Sequence, residues 1–575
     1  MPRPLSRPDL LGTSLCWLVV INYAGRQWRW SSQPVTLTDA DGDVLQFDGG
    51  LAPLELSQVL AVLADSPEML SISLELYWPE DVASMVADGH DLSAATGELA
   101  IIPLDGGRNW TDDRHVLISG RVSQPQYGAA YEAVVFSLEE QPYDDAAVYP
   151  PDFHIVKNDT DGTTIEDTSY VFPVVWGDVG RLRSLDGTSN DVRGSKAIVM
   201  KRSVGGAAQE LMIAGHELAS TEATVWAYLQ KAEIASFGEV VSYEEWDGRT
   251  GVNVSYSYTG NTRTARLDIS SLTSAEFNKQ SDFYISLESG GLQRLNGTGP
   301  ITGLGDLAIW WLDQSTIRWD RAKWHLLRQR LNGWLTAGFV NDQVSPWEYV
   351  QQNILPLVPV TIHSGPDGLY PVWWDYAATG ADAVEHITVA PGIVRQGPVE
   401  YDRDVSDVIN SFKLEYGYDA GEDAHRGVAV IETGPSRIGA ALDTEATDGT
   451  EHSTLFAEAS VRRYGVSQHE TTSTDIIYDE ASAVKTLLWW SIAKGFTHRT
   501  ITYEADQSLL WLQLGDIVKL TDADLSLSAA VGLVRGVTLS DHGRGIIDIQ
   551  LIDNMVVATL SAGAGGWDPN DDPED

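Results

Sequence analysis

The sequence predicts a mainly β, multidomain protein, with two β-barrel or sandwich domains at its ends and a smaller mixed α/β region between them. Its 575 residues suffice for roughly three to five domains of ordinary size. Short segments of alternating apolar and polar residues, separated by Gly, Asp and Pro, fill both ends of the chain. Segments with apolar residues at helical spacing lie mostly between the two ends.

Residues 1–150 are predicted to form the first barrel. The apolar run 17–21 favours a first β-strand over a signal peptide, because the apolar stretch around it is interrupted and no small-x-small cleavage site follows. Residues 35–47 predict a hairpin that turns at Asp41-Gly42. In residues 71–78 every second side chain is apolar, which is typical of a half-buried strand. Two further strands are predicted at 116–122 and 133–138.

The next part of the chain contains the least recognisable segment. Pro and Asp residues over 142–151 indicate a boundary, followed by a linker with connecting strands over 151–205 and a polar loop at 158–167. Residues 206–310 are predicted to form a β-rich domain or insertion of unknown role. Within it we expect a strand at 254–258 and one short helix at 223–232.

Helices dominate the predicted mixed α/β domain at 311–400. Apolar residues at helical spacing predict a helix over 317–335. Ser345 followed by Pro346 and Glu348 is typical of a helix start, and that helix should end before Pro356.

Residues 401–562 are predicted to form the second barrel. Its one helix, at about 478–494, should end at Gly495 in a left-handed conformation. The tail at 563–575 is predicted to be acidic and disordered. The expected strands follow the helix at 499–503, 509–514, 517–520, 531–537 and 546–552.

Composition narrows the function. The chain has 82 acidic and 38 basic residues, a net charge of −44, which argues against a surface that grips phosphate backbones. Two interpretations stay open: a salt-rich habitat, and a negatively charged channel through which DNA or a polypeptide passes without binding. Cys16 is the single cysteine, so no intramolecular disulfide forms. The sequence contains no run of 18 apolar residues, so it predicts no membrane-spanning helix.

Two residue classes are open to more than one interpretation. The 20 Trp residues predict well-filled cores, with subunit interfaces or sugar-binding platforms as alternatives. A basic cluster on the helix at 317–335 indicates a solvated face or a docking surface for an acidic part of another subunit. Its members are Arg318, Arg321, Lys323, Arg328 and Arg330.

Catalytic motifs are largely missing from the sequence. His216-Glu217 begins a zinc-protease pattern, but Ser220 stands where the second His belongs. Ser482 and Ser491 each precede a Lys by three residues, without the companion motifs of a penicillin-binding enzyme. The Asp-rich turn at Gly42 lacks the first ligand of a calcium loop. The sequence therefore predicts no enzyme, and no catalytic, cofactor-binding or metal-binding residues.

Four segments together resemble the tail-tip, or baseplate, hub proteins of long-tailed, siphovirus-like bacteriophages. They occur in the order expected for that family, and the order is more specific than any one of them. Gly515-Asp516 is expected to form a tight hairpin turn, and Asn410 to bridge backbone groups at a strand entrance. The segments are 118–122 with its following strand, 171–177, 405–416 and 512–520.

The resemblance implies a structural virion protein of the tail tip, assembled in the host cytoplasm. Such hubs are homotrimers in which two barrel-like domains per chain make a nearly sixfold ring. The implied partners are the distal tail ring, the tape-measure protein, and a tail fibre or central tip protein. DNA would pass through the lumen without specific binding, and no stable membrane insertion is expected. A receptor- or carbohydrate-binding tail protein and a glycan hydrolase with β accessory domains remain alternatives.

Overall fold

In the computed structural model the chain is mainly β and multidomain, as the sequence predicts. The domain boundaries themselves stay predictions. The predicted loop at 158–167 and tail at 563–575 lie outside the described residues. The structure describes residues 15–60, 70–77, 88–89, 91, 94–104, 109–127, 133–140, 147–150, 153–156, 168–202, 208–219, 224–230, 243–245, 254–259, 262–268, 283–288, 291–294, 299–375, 378–431, 450–451, 455–465, 468–540 and 544–552.

The N-terminal domain is a curled antiparallel sheet with the strand order β2-β1-β7-β8-β10-β6, to which β9 adds beside β10. Residues 48–52 hydrogen-bond to Ser31 at one edge and to Glu75 and Tyr77 at the other, so they close the sheet into a barrel. The elements are β1 Leu15–Tyr23, β2 Arg26–Ser31, β3 Val35–Thr38, β4 Val44–Phe47, β5 Glu55–Val59, β6 Ser71–Tyr77, β7 Thr96–Pro103, a short helix α1 Trp110–Asp113, β8 His115–Val122, β9 Gln126–Tyr127 and β10 Ala133–Glu140.

The predicted strands and hairpin of this domain are confirmed. β3 and β4 pair across the Asp-Gly turn, and Gly42 has a φ of +84°, which glycine adopts without strain. β6 alternates strictly between exposed and buried side chains. β1 is buried on both faces because the β3–β4 hairpin covers its outer side, where Leu37 and Phe47 pack.

A middle sheet follows the first barrel in the sequence. Its strand order is β19-β18-β22-β16-β17-β21-β20. The predicted strand at 254–258 is confirmed. The elements from the end of the barrel onward are β11 Phe153–Val156, β12 Thr168–Val171, β13 Val174–Trp176, β14 Arg181–Arg183, β15 Ser189–Asp191, β16 Lys196–Arg202, β17 Ala208–Ala214, β18 Thr224–Gln230, β19 Tyr243–Glu245, β20 Val254–Thr259, β21 Thr262–Asp268 and β22 Phe283–Glu288.

The central body combines helices with a four-stranded sheet, in which β28 pairs with β29 and, in parallel, with β31. A π turn (Val350–Ile354) and a 3₁₀ turn (Leu355–Leu357) continue α4. The elements are α2 Leu304–Gln314, α3 Arg321–Leu331, β23 Gly338–Val340, α4 Pro346–Tyr349, β24 Val360–His363, β25 Tyr370–Trp373, β28 Ile409–Asp419, β29 Ala424–Ile431, β30 Thr450–Glu451, α5 Leu455–Tyr464, β31 Gln468–Ser473 and α6 Glu480–Ala493.

The C-terminal domain is a second curled sheet, with the order β26-β33-β34-β35-β32-β27. Tyr503 on β32 donates a 2.8 Å hydrogen bond to Asp522 on β33, although three strand pairings separate these strands, so the bond crosses the interior of the curl. The elements are β26 Glu385–Thr388, β27 Val394–Tyr401, a 3₁₀ turn Val405–Asp407, β32 Arg499–Asp506, a 3₁₀ turn Gln507–Leu509, β33 Ile517–Asp522, β34 Leu527–Ser540 and β35 Arg544–Leu551.

The two end domains are joined by a strand that crosses between them. β5 comes from the first 60 residues, yet it pairs antiparallel with β34 of the C-terminal sheet. Leu56 on β5 belongs to one continuous cluster of buried side chains that includes Phe136 of the first barrel and Ile549 of the second. The chain therefore holds its two barrels side by side around a shared apolar core.

Several predicted elements are wrong. Residues 223–232 contain β18, because pairing with β19 and β22 overrides the local helix preference. Residues 509–514 turn after the 3₁₀ turn instead of forming a strand. Gly495 is not left-handed; a Cβ there would lie 2.1 Å from the Ser491 carbonyl oxygen, so close approach favours glycine.

The predicted helices at 317–335 and 478–494 are confirmed with shorter bounds, as α3 and α6. Asp320 and Asp479 cap them by accepting hydrogen bonds from Lys323 N and Ser482 N. The start of α4 at Ser345 is confirmed, with Ser345 Oγ accepting from Glu348 N.

Gly515 gives the first mutational prediction. Its φ is +88°, and a Cβ there would lie 2.5 Å from Val372 Cγ1 on β25. We expect Gly515→Val to lower the free energy of unfolding by about 2–4 kcal/mol, since it combines left-handed strain with overpacking. Urea unfolding measures the loss. Gly397→Val is the control, because Gly397 has a φ of +72° with open space around it. Equal unfolding of Gly515→Val and wild type would disprove this placement.

Candidate functional site

The residues singled out for chemistry do not assemble into a catalytic site. His216 Nε2 accepts a 3.1 Å hydrogen bond from Val175 N, and its Nδ1 donates to Glu217 O. Ser482 Oγ donates to Asp479, its own helix cap. Ser491 Oγ donates to Leu487 O within α6. Each of these side chains supports local structure.

Among the described residues, no group of three or more His, Cys, Asp and Glu side chains is arranged to hold a metal ion. The Asp-rich turn at Gly42 is an Asx turn, in which Asp39 Oδ1 accepts from Asp41 N and Asp43 N. No helix within the described ranges is both long and apolar enough to cross a bilayer.

Most of the described Trp side chains are core residues, as the sequence favoured. Trp311 stacks on Tyr349 at 4.5 Å between ring centroids and meets Trp310 edge to face. Trp490 donates from Nε1 to Pro356 O at 2.9 Å. The buried Trp residues are Trp17, Trp30, Trp176, Trp310, Trp311, Trp319, Trp324, Trp334, Trp347, Trp374, Trp489 and Trp490.

The residues that carried the family resemblance occupy structural junctions. Gly120 lies against β10, where a Cβ would come 1.9 Å from Glu139 O. Trp176 Nε1 donates to Thr336 of the central body at 3.2 Å. Where β28 begins, Asn410 donates from Nδ2 to Gly465 O at 2.9 Å and to Ser460 Oγ at 3.3 Å. Asp516 lies in a turn, as predicted, but the turn does not join two strands.

A cleft of about 380 Å³ marks the place where both barrels meet the central body. It is lined by residues 115–117 of the first barrel, 510–514 of the second, and Asp320, Ala322, Lys323, 364–367 and Tyr370 of the central body. A movement of the two barrels and the central body relative to one another would therefore change the shape of this cleft.

One cation lies in the wall of this cleft. Lys323 Nζ lies 3.3 Å from the centroid of the Tyr370 ring, a cation–π contact. Burial lowers the pKa of Lys323 and raises that of Tyr370. His363 donates from Nδ1 to Ser364 O at 2.5 Å, and burial lowers its pKa. The Lys323 side chain, held by an aromatic ring and near Asp320 and Asp367, braces the junction.

A second junction is electrostatic. Arg193, between β15 and β16, donates two 2.8 Å hydrogen bonds to Asp419 at the end of β28. Arg193 also contacts Glu422, and Arg426 lies 3.4 Å from Asp419. The Arg193–Asp419 pair is buried and bidentate, which is the strongest geometry for such an ion pair. It fastens the start of the middle sheet to the central sheet.

Three of the other basic residues predicted as a cluster lie on two faces of α3, and Arg318 precedes the helix. Arg328 pairs with the buried Asp306 of α2, so it stabilises the helix pair. Arg321 pairs with Asp313, and Arg330 lies 3.5 Å from Asp375, both at exposed positions. Arg318 lies 3.9 Å from Asp367.

His216 makes the stability of this region depend on pH. Burial lowers the pKa of His216 below its ordinary value of 6.5, and a protonated Nε2 could not accept from Val175 N. Because the folded pKa is depressed, this stability is complete above 6.5 and is lost as the pH falls below it. We expect the melting temperature to drop more for wild type than for His216→Gln between pH 7.5 and 5. Calorimetry checks this, and parallel pH profiles would contradict it.

No protein-family model matches the sequence, and no curated protein matches it. The solved structures with a similar arrangement include a tail protein from Neisseria meningitidis, at 10% identity and a TM-score of 0.36, covering 94% of this chain and 98% of that one. They also include the prophage MuSo2 43 kDa tail protein from Shewanella oneidensis, at 10% identity and a TM-score of 0.33, covering 94% and 99%. A prophage tail protein from Listeria monocytogenes matches at 11% identity and a TM-score of 0.21, covering 60% and 94%.

The sequence did not predict the Arg193–Asp419 ion pair or the pairing of β5 with β34. Arg193 and Asp419 are 226 residues apart, and no local pattern connects them. The residues that pair between β5 and β34 are more than 470 positions apart in the sequence.

Proposed function

We propose that this chain is a structural virion protein, the trimeric hub of a phage tail tip. The observation that carries the proposal is the pairing of two barrels in one chain, held by β5 and by a shared core. A chain built in this way presents two similar β surfaces side by side. Three copies around an axis would then present six such surfaces, which would match a hexameric tail ring above.

The remaining chemistry supports a structural role. The candidate nucleophiles and His216 are engaged in local hydrogen bonds. The described Trp residues mostly fill cores, which removes the observation that favoured sugar-binding platforms. A net charge of −44 suits a lumen through which DNA passes without being bound. In this role the hub contacts the distal tail ring, the end of the tape-measure protein, and a fibre or central tip protein.

Electron microscopy of the purified full-length chain tests the proposal. The expected result is a ring-shaped particle of three 62.8-kDa chains, with six barrel-sized lobes around an axial opening or plug. The particle should not bind added double-stranded DNA at physiological salt. Single chains or twofold dimers at every concentration, or hydrolysis of bacterial wall preparations by the chain, would contradict the proposal.

A further inference from the structure

The outer face of α3 is cationic with an apolar centre. The helix contains no acidic residue, on a chain with more than twice as many acidic as basic residues. Its inner side is fixed in the core by Trp324, Leu327 and Leu331. Leu326 is 82% exposed, although leucine favours burial. The exposed residues are Arg321, Ala322, His325, Leu326, Gln329 and Arg330.

The two arginines of this face keep their capacity to bind a further carboxylate. Their partners, Asp313 and Asp375, form ion pairs in which the Arg side chains are 67% and 57% exposed. Exposed pairs of this kind contribute little, so a new partner can replace or join them at small cost. Asp320 lies at the helix start, where it is already engaged as the cap.

A second surface has the opposite charge and a similar apolar centre. It comprises residues 400–407, where β27 ends and the 3₁₀ turn begins. Tyr401 and Val405 are each 57% exposed. Glu400, Asp404 and Asp407 are exposed beside them, and in the described part of the chain none of the three forms an ion pair. The nearby Asp402 and Arg403 pair with each other.

These two surfaces are complementary to each other. The α3 face has one large exposed apolar side chain, Leu326, between the exposed arginines Arg321 and Arg330. The 400–407 surface has two, Tyr401 and Val405, beside exposed carboxylates. Both are exposed in a single chain, so neither covers the other. A contact between two different surfaces of identical chains is heterologous, and such contacts close into rings when the rotation between copies allows it.

We propose that the α3 face of one chain docks onto residues 400–407 of a second copy, and that three such contacts close the ring. This inference rests on the trimer of the proposed function and names the surfaces that build it. Leu326 packs against Tyr401 and Val405 of the neighbouring copy. Arg321 and Arg330 approach its carboxylates at Glu400, Asp404 and Asp407.

Charge reversal of the full-length chain tests the contact by sedimentation velocity. Arg321→Glu/Arg330→Glu and Asp404→Lys/Asp407→Lys should each weaken trimer formation by about 100-fold, because like charges then face each other. The variant that carries all four substitutions should recover the trimer. Leu326→Asp should also dissociate it, whereas Leu185→Asp, at a leucine 53% exposed on another surface, should not.

The outcomes separate this inference from the function on which it rests. A wild-type trimer that survives both reversals and Leu326→Asp overturns the proposed contact and leaves the hub intact. Dissociation without recovery in the fourfold variant overturns the pairing of these two surfaces. A wild type that is monomeric at every salt concentration overturns both. Unchanged circular dichroism and melting of the variants verify that each chain is folded.

Discussion

Replacing Arg193 by Met is expected to lower the free energy of unfolding by about 3–4 kcal/mol. Met retains most of the side-chain volume but leaves the carboxylate of Asp419, which is 2% exposed, without its bidentate partner. Removal of one member of a buried ion pair typically costs about 3–5 kcal/mol, because the other charge stays buried. The lower part of that range applies here, since Arg426 lies 3.4 Å from Asp419 and compensates in part.

A double-mutant cycle separates the ion pair from other effects. Arg193→Met, Asp419→Asn and the double variant are compared by urea unfolding, followed by the fluorescence of the buried Trp residues. The double variant should be more stable than Arg193→Met, because no charge is then left buried. The predicted coupling is at least about 1.5 kcal/mol. Strict additivity of the two single changes would show that the pair does not join the two sheets.

Replacing Gly120 by Ala is also expected to lower the free energy of unfolding strongly. The new Cβ would lie 1.9 Å from Glu139 O and 2.8 Å from Glu140 Cα, both backbone atoms of β10. The strands β8 and β10 must separate to admit it, which breaks their pairing beside the core shared by the two barrels. We expect a loss of about 3 kcal/mol or more, above the usual cost of overpacking.

Gly380→Ala is the matched control for Gly120→Ala. A Cβ at Gly380 would meet only the flexible end of Lys519, at 2.9 Å from Cε, and that side chain can move. Its unfolding should differ from wild type by less than about 0.5 kcal/mol. If Gly120→Ala is as stable as Gly380→Ala, then β8 and β10 do not approach each other as described.

The comparison of sequence and structure shows which kinds of information are local. The β3–β4 hairpin was predictable because an Asp-Gly turn and the alternation around it are contained in 13 consecutive residues. The caps of α3, α4 and α6 are equally local. In contrast, α2 was missed because nine of its eleven residues are buried, so it has no polar face to give it a period. The helix α5 was also missed.

Such local patterns do not predict long-range contacts. Nothing in β5 indicates that its partner is β34 rather than a strand of its own barrel. The basic cluster on α3 was visible in the sequence, but its division was not: Arg328 faces the buried Asp306, while Arg321 and Arg330 face outward. The acidic surface at 400–407 was hidden among 82 acidic residues, and only exposure distinguishes it.

Light scattering of the full-length chain at low and at high salt gives its molar mass in solution and so tests for the trimer. We expect three 62.8-kDa chains per particle, either at both salt concentrations or once salt screens the repulsion between chains of net charge −44. A mass of one chain at every salt and protein concentration would contradict this expectation, and sugar binding would then be the next property to measure.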